Sequence, residues 1–359
     1  MTLTFRLAAS LAALALSTAA ALAEPALVFD LGGKFDKSFN EAAYAGAERF
    51  KKESGIAYRE FEVTQEAQRE QALRNMARRG ADVVVGVGFA QASAMGKVAQ
   101  EYPDTKFCII DSVVEAPNVQ SITFKEHEGS FLVGMMAAMA SQTGKVGFVG
   151  GMDIPLIRKF ECGFAQGFKS VQPEGSLVSN YTGTTPAAWN DPVKGGELAK
   201  AQISQGADVI YAAAGGTGIG VLQTAADEGI LSIGVDSNQN HLHPGKVLTS
   251  MVKRVDNAVY DAFKNGVEPG VKVLDLQAEG VDVAIDDNNK ALITPEMQAA
   301  VDKAKADWRA GRMRLPGLFE RGQLRLRQGQ PGRHGVAAEA LDQARVGAVH
   351  RGQRVADVE

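Results

Sequence analysis

Three apolar runs of the sequence end in aspartates: Asp30, Asp111 and Asp236. Each run has the composition of a buried strand, and open parallel sheets bind ligands beyond the carboxyl ends of their strands. A single such acid is equally consistent with a helix N-cap or a turn. Three of them favour a shared cleft in which carboxylates accept hydrogen bonds from hydroxyl and N–H groups.

The segment after Asp30 adds groups that suit a flat, polar ligand. Gly32 and Gly33 allow the backbone to approach a ligand closely. Phe39 offers an apolar ring face, and Asn40 offers both a donor and an acceptor. Taken alone, Phe39 is as well explained as a core residue of the following helix.

A lysine follows a later predicted strand, over residues 246–251. Lys253 could place its ammonium near Asp236, which lies in a run of short polar residues. The alternative is a solvated lysine, which is the usual environment of this residue type.

A glycine-rich run, Gly215-Gly-Thr-Gly-Ile-Gly220, follows a predicted strand and opens a helix. Its spacing matches neither the G-x-G-x-x-G dinucleotide fingerprint nor a P-loop, which would continue with Gly-Lys-Ser/Thr. Exposed amides at such a helix start can still bind an oxygen of a neutral polar ligand.

The sequence offers little for catalysis. The five histidines do not form a set with metal-ligand spacing, although His241 and His243 are two residues apart. The sequence contains neither the G-x-S-x-G nor the H-E-x-x-H motif. We therefore expect binding without turnover, and neither a cofactor nor a metal.

Short β-branched runs alternate with longer amphipathic segments, which predicts an α/β protein with parallel sheets buried on both faces. Strands are expected at 26–30, 58–63, 81–87, 106–111, 119–124, 145–150, 177–181, 208–213, 230–236, 246–251, 271–276 and 281–285. Helices are expected at 36–52, 66–79, 90–101, 126–141, 155–170, 191–205, 217–228, 254–265 and 294–310. The pattern repeats after about residue 124, which indicates two lobes.

Composition excludes some classes of protein. With 38 Lys+Arg against 42 Asp+Glu, the chain has a net charge of −4 and lacks the basic surface expected of a nucleic-acid-binding protein. Hydrophobic residues make up 45% and charged residues 22%, as in folded globular proteins. Its 359 residues suit two domains.

The two ends of the sequence differ from the rest. Residues 1–23 have a basic start, an apolar run too short to span a bilayer and a small-x-small site, as a cleaved signal peptide does. Because no Cys follows that site, we expect a periplasmic protein without a lipid anchor. Residues 317–359 are rich in Gly, Gln and Arg, and we expect a disordered tail.

Cys108 and Cys162 could pair, but we expect two buried free thiols.

Several motifs together resemble one protein family. The sequence resembles the basic membrane protein family, the purine-nucleoside-receptor-like substrate-binding proteins of ABC importers. The motifs that carry the resemblance are Phe29-Asp-Leu-Gly-Gly-Lys-Phe-Asp-Lys-Ser-Phe-Asn40, Gly86-Val-Gly-Phe89, Ile110-Asp111, Gly129-Ser-Phe-Leu-Val-Gly134, Gly147-Phe-Val-Gly-Gly151, Ala213-Ala-Gly-Gly-Thr-Gly-Ile-Gly220, Ile233-Gly-Val-Asp-Ser-Asn-Gln239 and Thr249-Ser-Met-Val-Lys253. They span about residues 26–316, in the family's order.

The resemblance implies a type I periplasmic binding protein fold, with two doubly wound parallel-sheet lobes joined by a three-segment hinge. We expect lobe 1 to hold residues 24–124 and 247–280, and lobe 2 to hold 125–246 and 281–316. The hinge segments are expected near 122–126, 246–252 and 277–286.

The resemblance also implies roles for individual residues. Asp30, Asn40 and Asp111 would contact a purine base, with Phe39 stacked on one face and Trp189 on the other. Gly215, Asp236 and Lys253 would hold the ribose hydroxyls. The family commonly has Phe where this chain has Trp189, and many relatives have Asp where it has Asn238.

The implied function is capture of a purine nucleoside by a monomer that delivers it to a membrane permease. One alternative is the same scaffold with another sugar-containing or flavin-like ligand. Another is a nucleoside-processing enzyme, although the metal-binding Asp cluster of nucleoside hydrolases is missing near the N-terminus.

Overall fold

A computed structural model describes residues 24–313. The predicted signal peptide, residues 1–23, and the predicted tail, residues 317–359, lie outside the described residues. The described chain contains strands β1–β12, which are Ala26–Phe29, Arg59–Glu62, Val83–Gly86, Lys106–Ile110, Val119–Phe124, Lys145–Met152, Ser176–Gly183, Val209–Ala213, Leu231–Asp236, Val247–Lys253, Gly270–Leu274 and Val281–Val283. Its α-helices, α1–α9, are Phe39–Ser54, Gln68–Arg78, Ala92–Glu101, Glu126–Ala140, Pro155–Val171, Pro192–Ser204, Gly218–Asp227, Val255–Asn265 and Pro295–Arg309.

The strands form two six-stranded sheets. The first sheet has the order β11-β5-β4-β3-β1-β2 and is parallel throughout. The second has the order β12-β10-β9-β8-β6-β7, with β12 antiparallel to β10 and the other strands parallel. This confirms the prediction of two doubly wound lobes.

The central strands are short apolar runs, since helices cover both faces of each sheet. Every residue of β1, β3 and β8 is buried. All the predicted strands and helices form, most within two residues of the predicted bounds. Helix α9 begins as predicted: the Thr294 side chain accepts a hydrogen bond from the Met297 amide at 3.2 Å, and Pro295 occupies the first turn.

The chain passes between the sheets in three places: at Lys125, at Arg254 and over residues 275–280. Two hydrogen bonds link neighbouring crossings: the Lys125 amide donates to Leu274 O at 3.0 Å, and the Arg254 amide donates to Gly280 O at 2.9 Å. Three adjacent crossings of this kind form a hinge on which two lobes can move.

The expected assignment of residues 247–253 to lobe 1 is wrong. This segment is β10, which pairs with β9 and β12 in the second sheet. The chain returns to the first lobe only with α8, which packs closely on α1: a Cβ on Gly46 would lie 2.1 Å from the Asp256 carbonyl oxygen. The second hinge segment therefore follows β10, instead of lying over residues 246–252.

The two cysteines are free thiols in different lobes. Cys108 is fully buried in β4, as expected, but Cys162 in α5 is only half-buried. Between residues 24 and 313, every helix is too short or too polar to cross a membrane.

Candidate functional site

All eight predicted site residues line one cleft between the two lobes. The cleft encloses about 600 Å³, counting the space that is open to solvent at its mouth. The sheets present the carboxyl ends of β1, β4, β8 and β9 to it, which is why residues far apart in the sequence meet there. The predicted residues that line the cleft are Asp30, Phe39, Asn40, Asp111, Trp189, Gly215, Asp236 and Lys253.

Two of the aspartates have a left-handed backbone. Asp111 has φ 70° and Asp236 has φ 63°, in a region that residues other than glycine rarely adopt. Each residue comes at the end of a buried strand, where the chain must turn sharply into the cleft. Strain of this kind clusters at functional sites, where it fixes the direction of a side chain.

Asp30 is not a free carboxylate. Its Oδ1 accepts from Arg69 Nη2 at 3.0 Å, from Arg69 Nε at 3.2 Å and from the Leu31 amide at 2.8 Å. Burial raises the pKa of Asp30, and the Arg69 guanidinium partly offsets that effect. Sequence reasoning missed Arg69, because nothing in its helix distinguishes it from a solvated arginine.

Asn40 is held by its own lobe. Its Oδ1 accepts from the Asp30 amide at 3.2 Å, and its Nδ2 donates to Asp36 Oδ2 at 3.2 Å. Asp36, which was not predicted, also lines the cleft and accepts from the amides of Ser38, Asn40 and Glu41 at the start of α1. Burial raises the pKa of Asp36.

Asp236 connects the two lobes. Ser38 Oγ, in the first lobe, donates to Asp236 Oδ2 at 2.7 Å. The same contact region includes bonds from Ser237 Oγ to Ser38 O at 2.7 Å and from Gln239 Nε2 to Lys37 O at 2.9 Å. Burial raises the pKa of Asp236 to about 6, against the opposing effects of the Lys253 charge and the Ser38 bond. The lobes are therefore closed on each other.

Lys253 contacts a carboxylate other than the one expected. Its Nζ lies 2.5 Å from Asp111 Oδ2, across the lobe boundary, and 3.6 Å from Glu126 Oε1 in its own lobe. No hydrogen bond to Asp236 is present among the described residues. The solvated-lysine alternative is also wrong, because the side chain is 2% exposed. Burial lowers the pKa of Lys253, but the carboxylates Asp111, Glu126 and Asp236 more than offset this and raise it.

Aromatic rings surround this ammonium. Lys253 Nζ lies 5.0 Å from the ring centres of Phe39 and Phe124, and 5.6 Å from that of Phe160. Contacts of this kind between a cation and a ring face are favourable in a desolvated site.

Two buried carboxylate oxygens have no hydrogen-bond partner among the described residues: Asp111 Oδ1 and Glu126 Oε1. The other oxygen of Glu126 lies 3.3 Å from Lys159 Nζ, and burial raises the pKa of this carboxyl group. Asp111 Oδ1 belongs to a residue that lines the cleft, so a guest can supply its missing donor.

The cleft has more apolar wall than was predicted. Phe89 lies opposite Trp189, with ring centres 6.5 Å apart at 67°, so that a ring from each lobe faces the cleft. The sequence held two signals for Phe89, since it follows a predicted strand and ends the motif Gly86-Val-Gly-Phe89. The remaining lining residues that were not predicted are Leu31, Gly88, Leu156, Ile157, Phe160, Ala213 and Val235.

The described residues contain no group of three or more His, Cys, Asp and Glu side chains placed to hold a metal ion. His127 is half-buried, and this burial lowers its pKa to about 4. The carboxylates of the cleft are engaged with lysine, arginine, serine and amide donors, which suits hydrogen bonding to a neutral guest.

Comparison with known proteins now identifies the family. Residues 23–307 match the family model Bmp, described as "ABC transporter substrate-binding protein PnrA-like". The chain belongs to this family.

Individual relatives agree with this membership. The chain is 33% identical over 319 residues to "ABC transporter nucleoside-binding protein BmpA" of Lactococcus lactis, covering 81% of this chain and 88% of that one. It is 37% identical over 276 residues to an uncharacterized lipoprotein of Pyrococcus abyssi, covering 71% and 67%. The crystal structure of an ABC transporter system solute-binding protein from Aeropyrum pernix superposes with a TM-score of 0.73 at 28% identity, covering 80% of this chain and 92% of that one.

Membership establishes the general class of activity. The Bmp chain described here is an extracytoplasmic ABC transporter substrate-binding protein, and its family is one of binding proteins instead of enzymes. Some relatives are named lipoproteins, so the expectation that this chain lacks a lipid anchor stays a prediction.

Proposed function

We propose that this protein captures a purine nucleoside between its lobes and delivers it to the permease of an ABC importer. One observation carries the proposal: Asp111 Oδ1 is buried, in a residue that lines the cleft, and receives no hydrogen bond from residues 24–313. An unpaired buried acceptor is costly, and a guest with an N–H group can supply the donor. A purine base has such groups.

The walls of the cleft support a ring-bearing guest. Phe39 and Phe89 from the first lobe, with Trp189 from the second, offer flat apolar surfaces. Asp236 and Lys253 line the same cleft and supply an acceptor and a donor, as ribose hydroxyls require. The name of the L. lactis relative, a nucleoside-binding protein, is consistent with such a guest.

Binding and closure would be coupled, since the proposed contacts come from both lobes. A guest that touches Asp111 in the first lobe and Asp236 in the second binds the closed form better than the open one. Closure also removes water from these bonds and strengthens them. A monomer whose two lobes have closed then presents a changed outer surface to the permease.

Isothermal titration calorimetry with adenosine, guanosine, inosine, free bases, ribose and riboflavin tests the proposal. We expect sub-millimolar binding of at least one purine nucleoside and its loss in Asp236→Ala. The matched control is Asp287→Ala, because the Asp287 side chain is 91% exposed and does not line the cleft.

Other outcomes would contradict the proposal. Binding of ribose or riboflavin without any response to a purine nucleoside would exclude the purine assignment. Release of free base during incubation with a nucleoside, followed by chromatography, would instead identify a nucleoside-processing enzyme. Uptake of labelled nucleoside by cells that produce either the natural protein or Asp236→Ala tests delivery to the permease.

A further inference from the structure

The indole of Trp189 rests on a glycine. Trp189 ends the short 3-10 turn Pro186–Trp189 and lines the cleft. A Cβ added to Gly151 would lie 2.1 Å from Trp189 Cζ3 and 2.4 Å from Cε3. Real Cβ atoms do not approach this closely, so the ring position depends on the absence of a side chain at residue 151.

The backbone on both sides of Trp189 is held by a single hydroxyl group. Thr217 Oγ1 donates to the Ala188 carbonyl oxygen at 2.8 Å and accepts from the Asp191 amide at 2.7 Å. Thr217 is fully buried. One residue of the glycine-rich run therefore fixes the chain before and after the ring.

A second threonine contributes less. Thr182 Oγ1 also donates to Ala188 O, at 2.9 Å, but it receives no amide from the segment that follows Trp189. Removing the Thr182 hydroxyl leaves Ala188 O with its bond from Thr217. Removing the Thr217 hydroxyl leaves the Asp191 amide without this acceptor, which makes Thr182 a matched control.

The first turn of α6 packs on the same threonine. A Cβ on Gly195 would lie 2.4 Å from Thr217 O and 3.1 Å from Thr217 Cγ2. Thr217, in the turn that follows β8, therefore contacts both the Trp189 segment and the first turn of α6.

We propose that Thr217 is a positioning residue that holds the Trp189 indole in place as one wall of the cleft. The expected effect of Thr217 on ligand affinity rests on the proposed function. The expected effect of Thr217 on the position of the Trp189 ring is independent of that function.

The first experiment uses fluorescence without any ligand. The chain has two tryptophans, so a Trp308→Phe background leaves Trp189 as the sole indole. In that background we expect Thr217→Val to increase acrylamide quenching of Trp189 and to shift its emission to longer wavelength. Thr217→Ser, which keeps the hydroxyl, should restore the original spectrum, and Thr182→Val should change it less.

The second experiment is a double-mutant cycle on nucleoside affinity. Loss of two neutral hydrogen bonds predicts about a tenfold weaker Kd for Thr217→Val. If Thr217 acts through the ring, the same substitution should have no further effect in Trp189→Ala. An undiminished effect in Trp189→Ala would overturn the inference, as would an unchanged quenching constant in Thr217→Val. If no purine nucleoside binds the natural protein, the proposed function fails, while the quenching result still decides the role of Thr217.

Discussion

The ammonium of Lys253 is shared between carboxylates of different lobes. Asp111, 2.5 Å away, leaves it when the lobes open, whereas Glu126 stays beside it in the second lobe. Because Glu126 and Lys253 both belong to the second lobe, we expect this pair to persist when the lobes separate. Buried pairs of this kind stabilise little as a whole, but removing one partner is costly.

We expect Lys253→Met to lower the free energy of unfolding by about 3–5 kcal/mol, because it leaves the buried Asp111 carboxylate without its cation and Glu126 with Lys159 alone. Urea denaturation measures this. Adding Asp111→Asn should recover part of the stability without restoring binding. Lys290→Met is the control: it removes an exposed pair with Asp287 and should cost less than about 1 kcal/mol. Equal losses in the two single variants would contradict the role given to Lys253.

The raised pKa of Asp236 predicts a pH dependence of nucleoside affinity. Its pKa is about 6 in the folded protein, against an ordinary value of 3.8. The ionised carboxylate is the better acceptor for a hydroxyl group, so affinity should fall as the pH is lowered through about 6. Calorimetry between pH 5 and pH 8 measures this, and Asp236→Asn should bind weakly with little of that dependence. An identical pH profile in the variant would contradict the assignment.

The same group affects stability with the opposite sign. Between about pH 4 and pH 6 the folded state holds a proton on Asp236 that the unfolded state has lost, so its contribution to stability falls as the pH rises. The fall amounts to at most about 3 kcal/mol. Relative to the natural protein, Asp236→Asn should remove this component, which urea denaturation at several pH values detects. If the free energies of unfolding of the two proteins differ by the same amount at every pH, Asp236 does not make this pH-dependent contribution.

Helix packing in the second lobe depends on glycines that let backbones touch. A Cβ on Gly134 in α4 would lie 2.2 Å from Phe164 O in α5, and a Cβ on Gly167 in α5 would lie 2.0 Å from Phe131 O in α4. Helix α4 follows the first hinge crossing and carries Glu126 at its first residue. The close packing on α5 therefore also fixes the position of that carboxylate.

We expect Gly134→Ala to lower the free energy of unfolding by about 1–3 kcal/mol, since the new methyl group meets backbone that cannot move away alone. Gly96→Ala in α3 is the control, because its Cβ would meet only Val114 Cγ1 at 3.7 Å. Alanine is the better helix former, so this change should be neutral or stabilising. Thermal unfolding compares the two variants, and similar melting temperatures would contradict the packing argument.

The two lobes are closed through contacts that do not involve a guest. Ser38, Ser237 and Gln239 join the start of α1 to the segment after β9. Closed and open forms of such proteins differ by a few kcal/mol, so a small number of hydrogen bonds can shift their populations.

We expect the double substitution Ser38→Ala with Ser237→Ala to increase the radius of gyration of the ligand-free protein, because the bonds that these two hydroxyls make between the lobes are lost. Small-angle X-ray scattering measures this change. A saturating purine nucleoside should return the variant to the compact form, since it contacts both lobes. Ser204→Ala, which removes a hydroxyl bonded within α6, is the control. A variant as compact as the natural protein without ligand would show that these bonds do not govern closure.

Local patterns were sufficient to predict the elements and the cleft. Between residues 24 and 313, the alternation of apolar runs with amphipathic segments identified every strand and α-helix, because burial on both faces of a parallel sheet dictates composition along the chain. The positions of Asp30, Asp111 and Asp236 followed, since the carboxyl ends of parallel strands meet at one edge. Phe39 and Trp189, whose stacking roles were implied by the family resemblance, line the same cleft from a helix start and a 3-10 turn. The contacts of all eight predicted residues with a ligand stay predictions.

Pairings over long distances in the chain were settled by packing. A run such as Val247–Lys253 has the same pattern in either sheet, and only the fold shows that it pairs with β9 and β12 in the second one. Three other contacts likewise join distant segments of the chain. They are the bonds from Lys253 to Asp111, from Arg69 to Asp30 and from Ser38 to Asp236. Sequence spacing does not encode such contacts, because they depend on the distances that arise when two separately built lobes close on each other.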